Sequence, residues 1–445
     1  MTDSLETNRA IDRRILALAW PALGALIAEP IFVLIDSAVV GHLGRAPLAG
    51  LSLASTILMT AVSIFIFLAY ATTAAVARQQ GAGNVRMGIS LGIDGMWLAF
   101  FLGIATTALG FIFAPQIVWS LGASPEVTPH AIAYLRSSIP GITGMLLVFA
   151  ATGTLRGLQD TRTPFIAAVS GAIVNTIGSV TLVYGLHMGI AGSGLATALT
   201  QIGMGAWLVY KVLMGGRRLG GVDWRPRFRG VLDSAQAGTP LLIRTLTLRA
   251  AVLLTVAVAT ALGDVPLAAH QIVNSLWGLT AFALDALAIA AQALIGSSLG
   301  AGDARVVRRY TNRSLWWGVL GGAIIGVALA GIGFLITPLF TADPEVQNAA
   351  MWALVVCGAV MPIAGWVFVL DGVLIGAGDG RFLAVAGVIT LVVYVPLAAA
   401  VWHWAPGGTA GLVWLWLAFG GGFMLARALT TGIRASGEKW MVLGV

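Results

Sequence analysis

The chain has 445 residues, of which 58% are hydrophobic and only 10% charged, with a mean hydropathy of +0.92. Soluble domains carry roughly 25% charged residues, so this composition excludes a water-soluble globule. The net charge of +7 follows from the placement of basic residues in the loops of one side and does not call for a nucleic-acid partner. The single cysteine, Cys357, excludes an intramolecular disulfide.

Apolar runs of about 20 residues, long enough to cross a ~30 Å hydrocarbon core, alternate with charged or Gly/Pro-rich loops. They lack the two-residue period of a barrel strand, so the expected fold class is an all-α polytopic membrane protein. Twelve transmembrane helices are predicted, starting near Ile15, Leu48, Met87, Ala131, Pro164, Ile190, Ala237, Leu267, Ser314, Asn348, Phe382 and Thr409. The polar start, with Arg9, Arg13 and Arg14 leading directly into a full-length span, does not read as a cleavable signal peptide. Placing alternate loops on one side gathers 21 of the 25 basic residues there, including Arg86, Arg156, Arg227, Arg305, Arg313, Arg427 and Arg434. By the positive-inside bias that side is cytoplasmic, with both termini on it.

The chain repeats itself at one constant offset, the interval from Gly44 to Gly263. Leu43-Gly44 and Pro47-Leu48-Ala49 return as Leu262-Gly263 and Pro266-Leu267-Ala268; Gly81-Ala82-Gly83-Asn84 returns as Gly300-Ala301-Gly302-Asp303; Leu155, Gly157, Asp160 and Arg162 return as Leu374, Gly376, Asp379 and Arg381. Six spans per copy is an even number, so the copies are parallel repeats, an arrangement suited to a transporter that opens a central cavity to each side in turn. The expected organisation is an N-lobe over 1–214, a cytoplasmic linker rich in Gly and Arg over 215–230, and a C-lobe over 231–445.

Positions that repeat are explained as scaffold, so membrane-embedded polar residues that do not repeat are the functional candidates. At the same offset Asp36 faces Thr255, Glu29 faces Leu248, Asp285 faces Ile66 and Asp371 faces Thr152. A carboxylate at mid-membrane costs roughly 2.5 to 3.5 kcal/mol on insertion scales, so each must be paired, protonated or exposed to a cavity. Asp36 and Glu29 lie seven positions apart, hence on nearly one face of the first span, where Pro21 and Pro30 each remove a backbone hydrogen bond and allow bending. Arg244 and Arg249 are available counter-ions for Asp285 and Asp371 in a C-lobe polar network. Asp94, near a span end, is expected to be solvated. No metal-ligand spacing is present, and no nucleotide-binding loop. Two Gly-x-Gly-Asp stretches, at Gly300 and Gly376, fall in loops rather than facing one another in the membrane, so an aspartyl protease is not expected.

The chain resembles the MATE (multidrug and toxic compound extrusion) family, and within it the DinF branch. The resemblance is carried by Trp20-Pro21, Asp36-Ser37-Ala38-Val39-Val40-Gly41-His42-Leu43-Gly44, Ala283-Leu284-Asp285, and Leu370-Asp371-Gly372-Val373-Leu374-Ile375-Gly376-Ala377. It implies export of organic compounds by antiport with protons or sodium, a coupling role for Asp36, and membership of Asn175 and Thr197 in the same site. Many relatives carry a second aspartate one helical turn after the asparagine, where this chain has Ser179; Glu29, if turned inward, would supply the missing acid.

The reading that follows is a bacterial inner-membrane antiporter, expected as a monomer without a cofactor other than the coupling ion, exporting amphipathic or cationic small molecules. The alternative is a flippase of lipid-linked oligosaccharide precursors, which would be expected to line its cavity with several cations.

Overall fold

A computed structural model of the chain describes residues 7–219 and 221–445; Gly220, in the expected linker, lies outside them. All regular structure among these residues is helical. In chain order the helices are α1 (Asn8–Gly41), α2 (Arg45–Ile64), α3 (Phe67–Gly81), α4 (Val85–Ser120), α5 (Thr128–Ser138), α6 (Gly141–Gly157), α7 (Arg162–Val180), α8 (Ile190–Arg218), α9 (Phe228–Ala261), α10 (Asp264–Gly300), α11 (Ala304–Phe340), α12 (Pro344–Gly376), α13 (Gly380–Trp404), α14 (Gly408–Leu417) and α15 (Met424–Ser436). Single π-turns extend α7 over Thr181–Gly185 and join α14 to α15 over Ala418–Phe423.

Ten of these helical runs among the described residues are long and apolar enough to cross a membrane, and the α5–α6 pair, bent by 49°, makes an eleventh. α8, at 29 residues, occupies the remaining place in the expected order of spans. The helices begin earlier than the apolar runs. Arg9, Arg13, Arg14, Arg86, Arg305, Arg308, Arg309 and Arg313, expected in loops, lie in the opening turns of α1, α4 and α11. Backbone hydrogen bonding does not require apolar side chains, so a helix continues past the hydrocarbon boundary; the 34 residues of α1 extend roughly 50 Å.

The repeat is visible in the turns. Gly44 and Gly263 have φ of +122° and +115°, Gly83 and Gly302 +79° and +78°, and Gly189 and Gly408 +58° and +71°. Each pair is separated by the same interval in sequence. Gly302 supplies the left-handed turn that ends α10, and the Asp303 side chain then accepts from the Arg305 and Val306 amides at 2.9 and 3.1 Å, capping α11.

The contacts divide the described chain into two units. One runs Trp20–Thr239; the other joins Pro240–Gly444 to the N-terminal stretch ending at Ala19. The divisions therefore fall inside α1 and α9, next to Pro21 and Pro240, which are themselves repeat partners. Within the second unit, the first turns of α1 are held to α11 by the Asp12–Arg313 ion pair, with Trp317 Nε1 donating to Asp12 at 2.8 Å. Its α11–α12 contact is built on glycine. A Cβ added at Gly365 would stand 1.9 Å from the Gly318 carbonyl oxygen, and one at Gly326 would stand 2.2 Å from that of Gly358. Small residues four apart let membrane helices approach to backbone contact. Gly365→Val should therefore lower stability by about 3 kcal/mol or abolish insertion, read as the melting temperature in detergent; an unchanged melt would contradict the packing.

Within the first unit, Asp94 does not meet the expectation of a solvated carboxylate. It is fully buried and ion-paired with Arg227 of the linker, whose Nε lies 3.2 Å from Asp94 Oδ1. The linker folds back on α4, so a carboxylate near a helix end is covered by the chain's own cation.

Candidate functional site

Asp36 lies in the C-terminal half of α1, 5% exposed, and its carboxylate is met by side chains from three other helices of the same unit. Asn175 and Ser179 stand one turn apart on one face of α7; Asn175 Nδ2 and Ser179 Oγ donate to Asp36 Oδ1 at 3.2 and 3.0 Å. Thr197 Oγ1 of α8 donates to Oδ2 at 3.0 Å, and the Tyr134 hydroxyl of α5 reaches it at 3.4 Å. Asn175, Ser179 and Tyr134 are themselves buried. The π-turn after α7 carries Tyr184, whose hydroxyl donates to the Val39 carbonyl and ties this helix end to α1.

Four neutral donors saturate an ionised carboxylate, and among the described residues no cation forms an ion pair with Asp36. The same cluster also accommodates the acid form. The Thr197 hydroxyl has one proton and two further acceptors in reach, the Ser193 carbonyl at 3.1 Å and Asn175 Oδ1 at 3.3 Å. Turning that proton away from Asp36 leaves Thr197 Oγ1 free to accept from a protonated Oδ2. A hydroxyl rotation thus keeps every polar atom of the Asp36–Thr197 pair bonded in either state.

The cluster opens on a cavity of about 180 Å³ within the unit. Its walls are mainly apolar, with Phe32, Met59, Met145, Phe149 and Met204, and its polar lining includes Asp36, Glu29, Tyr134, Thr197, Gln201 and Arg156. Glu29 does face this cavity, about two turns along α1 from Asp36, without joining its hydrogen-bond set. Arg156, expected in a loop, is in α6, 8% exposed and part of the cavity wall.

The C-lobe acids form a separate arrangement. Arg244 of α9 pairs with Asp371 of α12 at 2.6 Å, and Arg427 of α15 pairs with the same Oδ2. The span pattern puts Arg427 in a cytoplasmic loop, but the helix carries it into the unit, where it is 8% exposed and lies over the Phe368 and Phe423 rings. Asp285 is partly buried and close enough to Arg427 to interact with its charge. Arg249 is exposed and takes no part in the Asp371 pair. Among the described residues there is no cluster that could hold a metal ion.

Sequence reasoning misses Tyr134 and Arg427. Both are within reach of the repeat argument, since at the repeat offset Tyr134 faces Ala353 and Arg427 faces Leu208. At the C-lobe positions equivalent to Asp36 and Asn175, Thr255 and Tyr394 hydrogen-bond at 2.7 Å, while those equivalent to Ser179 and Thr197 are Ala398 and Trp416 in the apolar core. The fold is duplicated and the carboxylate cluster is not.

A multi-pass helical protein with two homologous halves and an acid-lined cavity in one of them has the form of a secondary transporter. The MatE family model matches twice, over residues 21–181 and 240–400, and the two matches are displaced by the offset of the internal repeat. The chain belongs to the MATE family of multidrug and toxic compound efflux transporters. It is 30% identical to Protein DETOXIFICATION 44, chloroplastic, of Arabidopsis thaliana over 91% of this chain and 79% of that one. It is 27% identical to DNA damage-inducible protein F of Escherichia coli K12, covering 82% and 81% respectively. Among solved structures, a mutant of the Vibrio cholerae MATE transporter VcmN superposes with a TM-score of 0.87 at 18% identity, covering 98% of this chain and 99% of that one.

Proposed function

We propose that the chain is a proton-coupled antiporter of the bacterial inner membrane that exports amphipathic monocations, with Asp36 as the coupling acid. The observation that carries this reading is the Asp36 cluster: a buried carboxylate with no counter-ion among the described residues, opening on the cavity, whose partners can satisfy it ionised or protonated by rotating one hydroxyl. Either a proton or an organic cation can neutralise it, and competition for one negative charge yields exchange. Met59, Met145 and Met204 offer adaptable apolar contacts to ligands of varied shape. Ser179, where a second acid would add charge for a metal cation, supplies only a hydroxyl, which favours the proton. A flippase of pyrophosphate-linked lipids is less well supported, because Arg156 shares the cavity wall with two carboxylates.

One proton entering for each monocation leaving moves no net charge. The membrane potential, worth roughly 2.3 kcal/mol per charge per 100 mV, then contributes nothing. The pH gradient alone drives export, and one pH unit, ~1.4 kcal/mol, sustains about a tenfold cation gradient. In proteoliposomes clamped with potassium and valinomycin at fixed pH difference, accumulation of a monocation should be independent of voltage and of sodium. Strong voltage dependence would exclude one-for-one exchange, and dependence on sodium alone would exclude the proton.

A further inference from the structure

A second cavity, of about 330 Å³, lies on the N-lobe unit away from the Asp36 cluster, between α4, α6 and α8. It is lined by apolar side chains throughout, among them Met96, Trp97, Phe100, Leu147, Val209 and Leu213, and closed at one edge by Trp224 of the linker. That edge is held in place: Trp97 Nε1 donates to the Trp224 carbonyl at 2.8 Å, and Arg227 is anchored on buried Asp94. Next to the anchored edge the chain concentrates positive charge. Arg217 and Arg218 end α8, Arg225 follows Trp224, and Lys211 lies over the Trp207 ring at 5.2 Å, all of them exposed. Asp223 is the one acid between Lys211 and Arg227, and its carboxylate accepts from the Arg225 amide at 3.0 Å. An apolar groove ending at exposed cations and an indole rim matches a phospholipid with an anionic headgroup: the acyl chain fills the groove and the phosphate meets the arginines.

We propose that this groove, with Arg217, Arg218 and Arg225 at its rim, is a binding site for one anionic phospholipid, which pins the linker to the N-lobe. Lipid that merely surrounds the helices would keep whatever headgroup preference it has when the groove is filled. Arginine end-capping of α8 would account for Arg217 and Arg218 but not for the apolar groove beside them.

The test is native mass spectrometry of the full-length protein released from detergent, titrated with dioleoyl phosphatidylglycerol or dioleoyl phosphatidylcholine. One phosphatidylglycerol should be retained with about fivefold or greater preference. Arg217→Gln, Arg218→Gln and Arg225→Gln together should bring the preference close to unity while chain binding persists. Ala206→Trp, which fills the groove from its exposed wall, should remove the tightly held lipid of either kind; Val209→Trp serves if that variant does not fold. Glycerophosphoglycerol, the headgroup without chains, should not displace the lipid. Equal retention of both lipids by the unaltered protein, or displacement by the free headgroup, would overturn the proposal. So would undiminished phosphatidylglycerol binding in a groove-filled variant that melts like the parent.

Discussion

Asp36→Asn should reduce gradient-driven efflux in proteoliposomes to the level of empty liposomes while leaving the protein folded and inserted. The amide matches the carboxylate in size, and its oxygen can still accept from Asn175 Nδ2 and Ser179 Oγ, which sit at 3.2 and 3.0 Å on one side of the group. On the other side the amide nitrogen donates, which Thr197 accepts once its own proton has turned to the Ser193 carbonyl at 3.1 Å. The site thus holds the amide much as it would hold the protonated acid, and the melting temperature should change by no more than about 3 °C. The amide cannot ionise, so neither a proton nor a cation is exchanged at it. Retained uphill transport would remove Asp36 from the coupling step. Ser179→Ala and Thr197→Val remove one donor each and should lower the rate by about tenfold without abolishing it, since the carboxylate keeps its remaining partners.

The C-lobe arrangement leads to an ordering of variants rather than a single loss. Asp371 is shared by Arg244 and Arg427, and all three side chains are at most 12% exposed. Asp371→Asn leaves two buried guanidinium groups beside one another and should cost about 3 to 5 kcal/mol, the range for breaking a buried ion pair from one side. Arg427→Met leaves the one-to-one Arg244–Asp371 pair and should cost less than Asp371→Asn. The combination Asp371→Asn with Arg427→Met and Arg244→Met removes all three charges of the Asp371 pairing together and should recover part of the loss, because neither guanidinium is left beside a neutral amide. Thermal melts in detergent give the ordering directly. If Arg427→Met is the most damaging of the three, Asp371 is not the centre of the network, and Asp285, which also senses the Arg427 charge, takes that place.

Much of this protein follows from the chain alone, because a bilayer constrains sequence more tightly than water does. Unsatisfied backbone groups are too costly in hydrocarbon, so every crossing must be a helix of about 20 apolar residues, and such runs can be counted. The duplication is legible because tight turns at Gly44 and Gly263, or Gly83 and Gly302, require the same residue type in both copies. Failure to repeat then marks Asp36, with Glu29, Asp285 and Asp371, as a candidate, and the resemblance to the family adds Asn175, Ser179 and Thr197 to the Asp36 site.

Tertiary structure decided the partners. Charges at span ends usually snorkel to water, which places Arg427, Arg156 and Asp94 in loops or solvent, yet α15 and α6 carry the two arginines into the packed lobes and the linker covers the aspartate. Nothing local distinguishes Arg427 from a loop arginine; its burial depends on Asp371, 56 residues earlier on another helix. Tyr134, likewise, becomes part of the Asp36 cluster only because α5, packed against α2 and α8, brings its hydroxyl to a carboxylate 98 residues earlier in sequence. Apolar length and glycine turns are local properties of a chain, whereas compensation of a buried charge is a property of two segments brought together. The sequence therefore determined the spans and the repeat, and packing alone determined which charges were neutralised and which, like Asp36, were met by neutral donors instead of a cation.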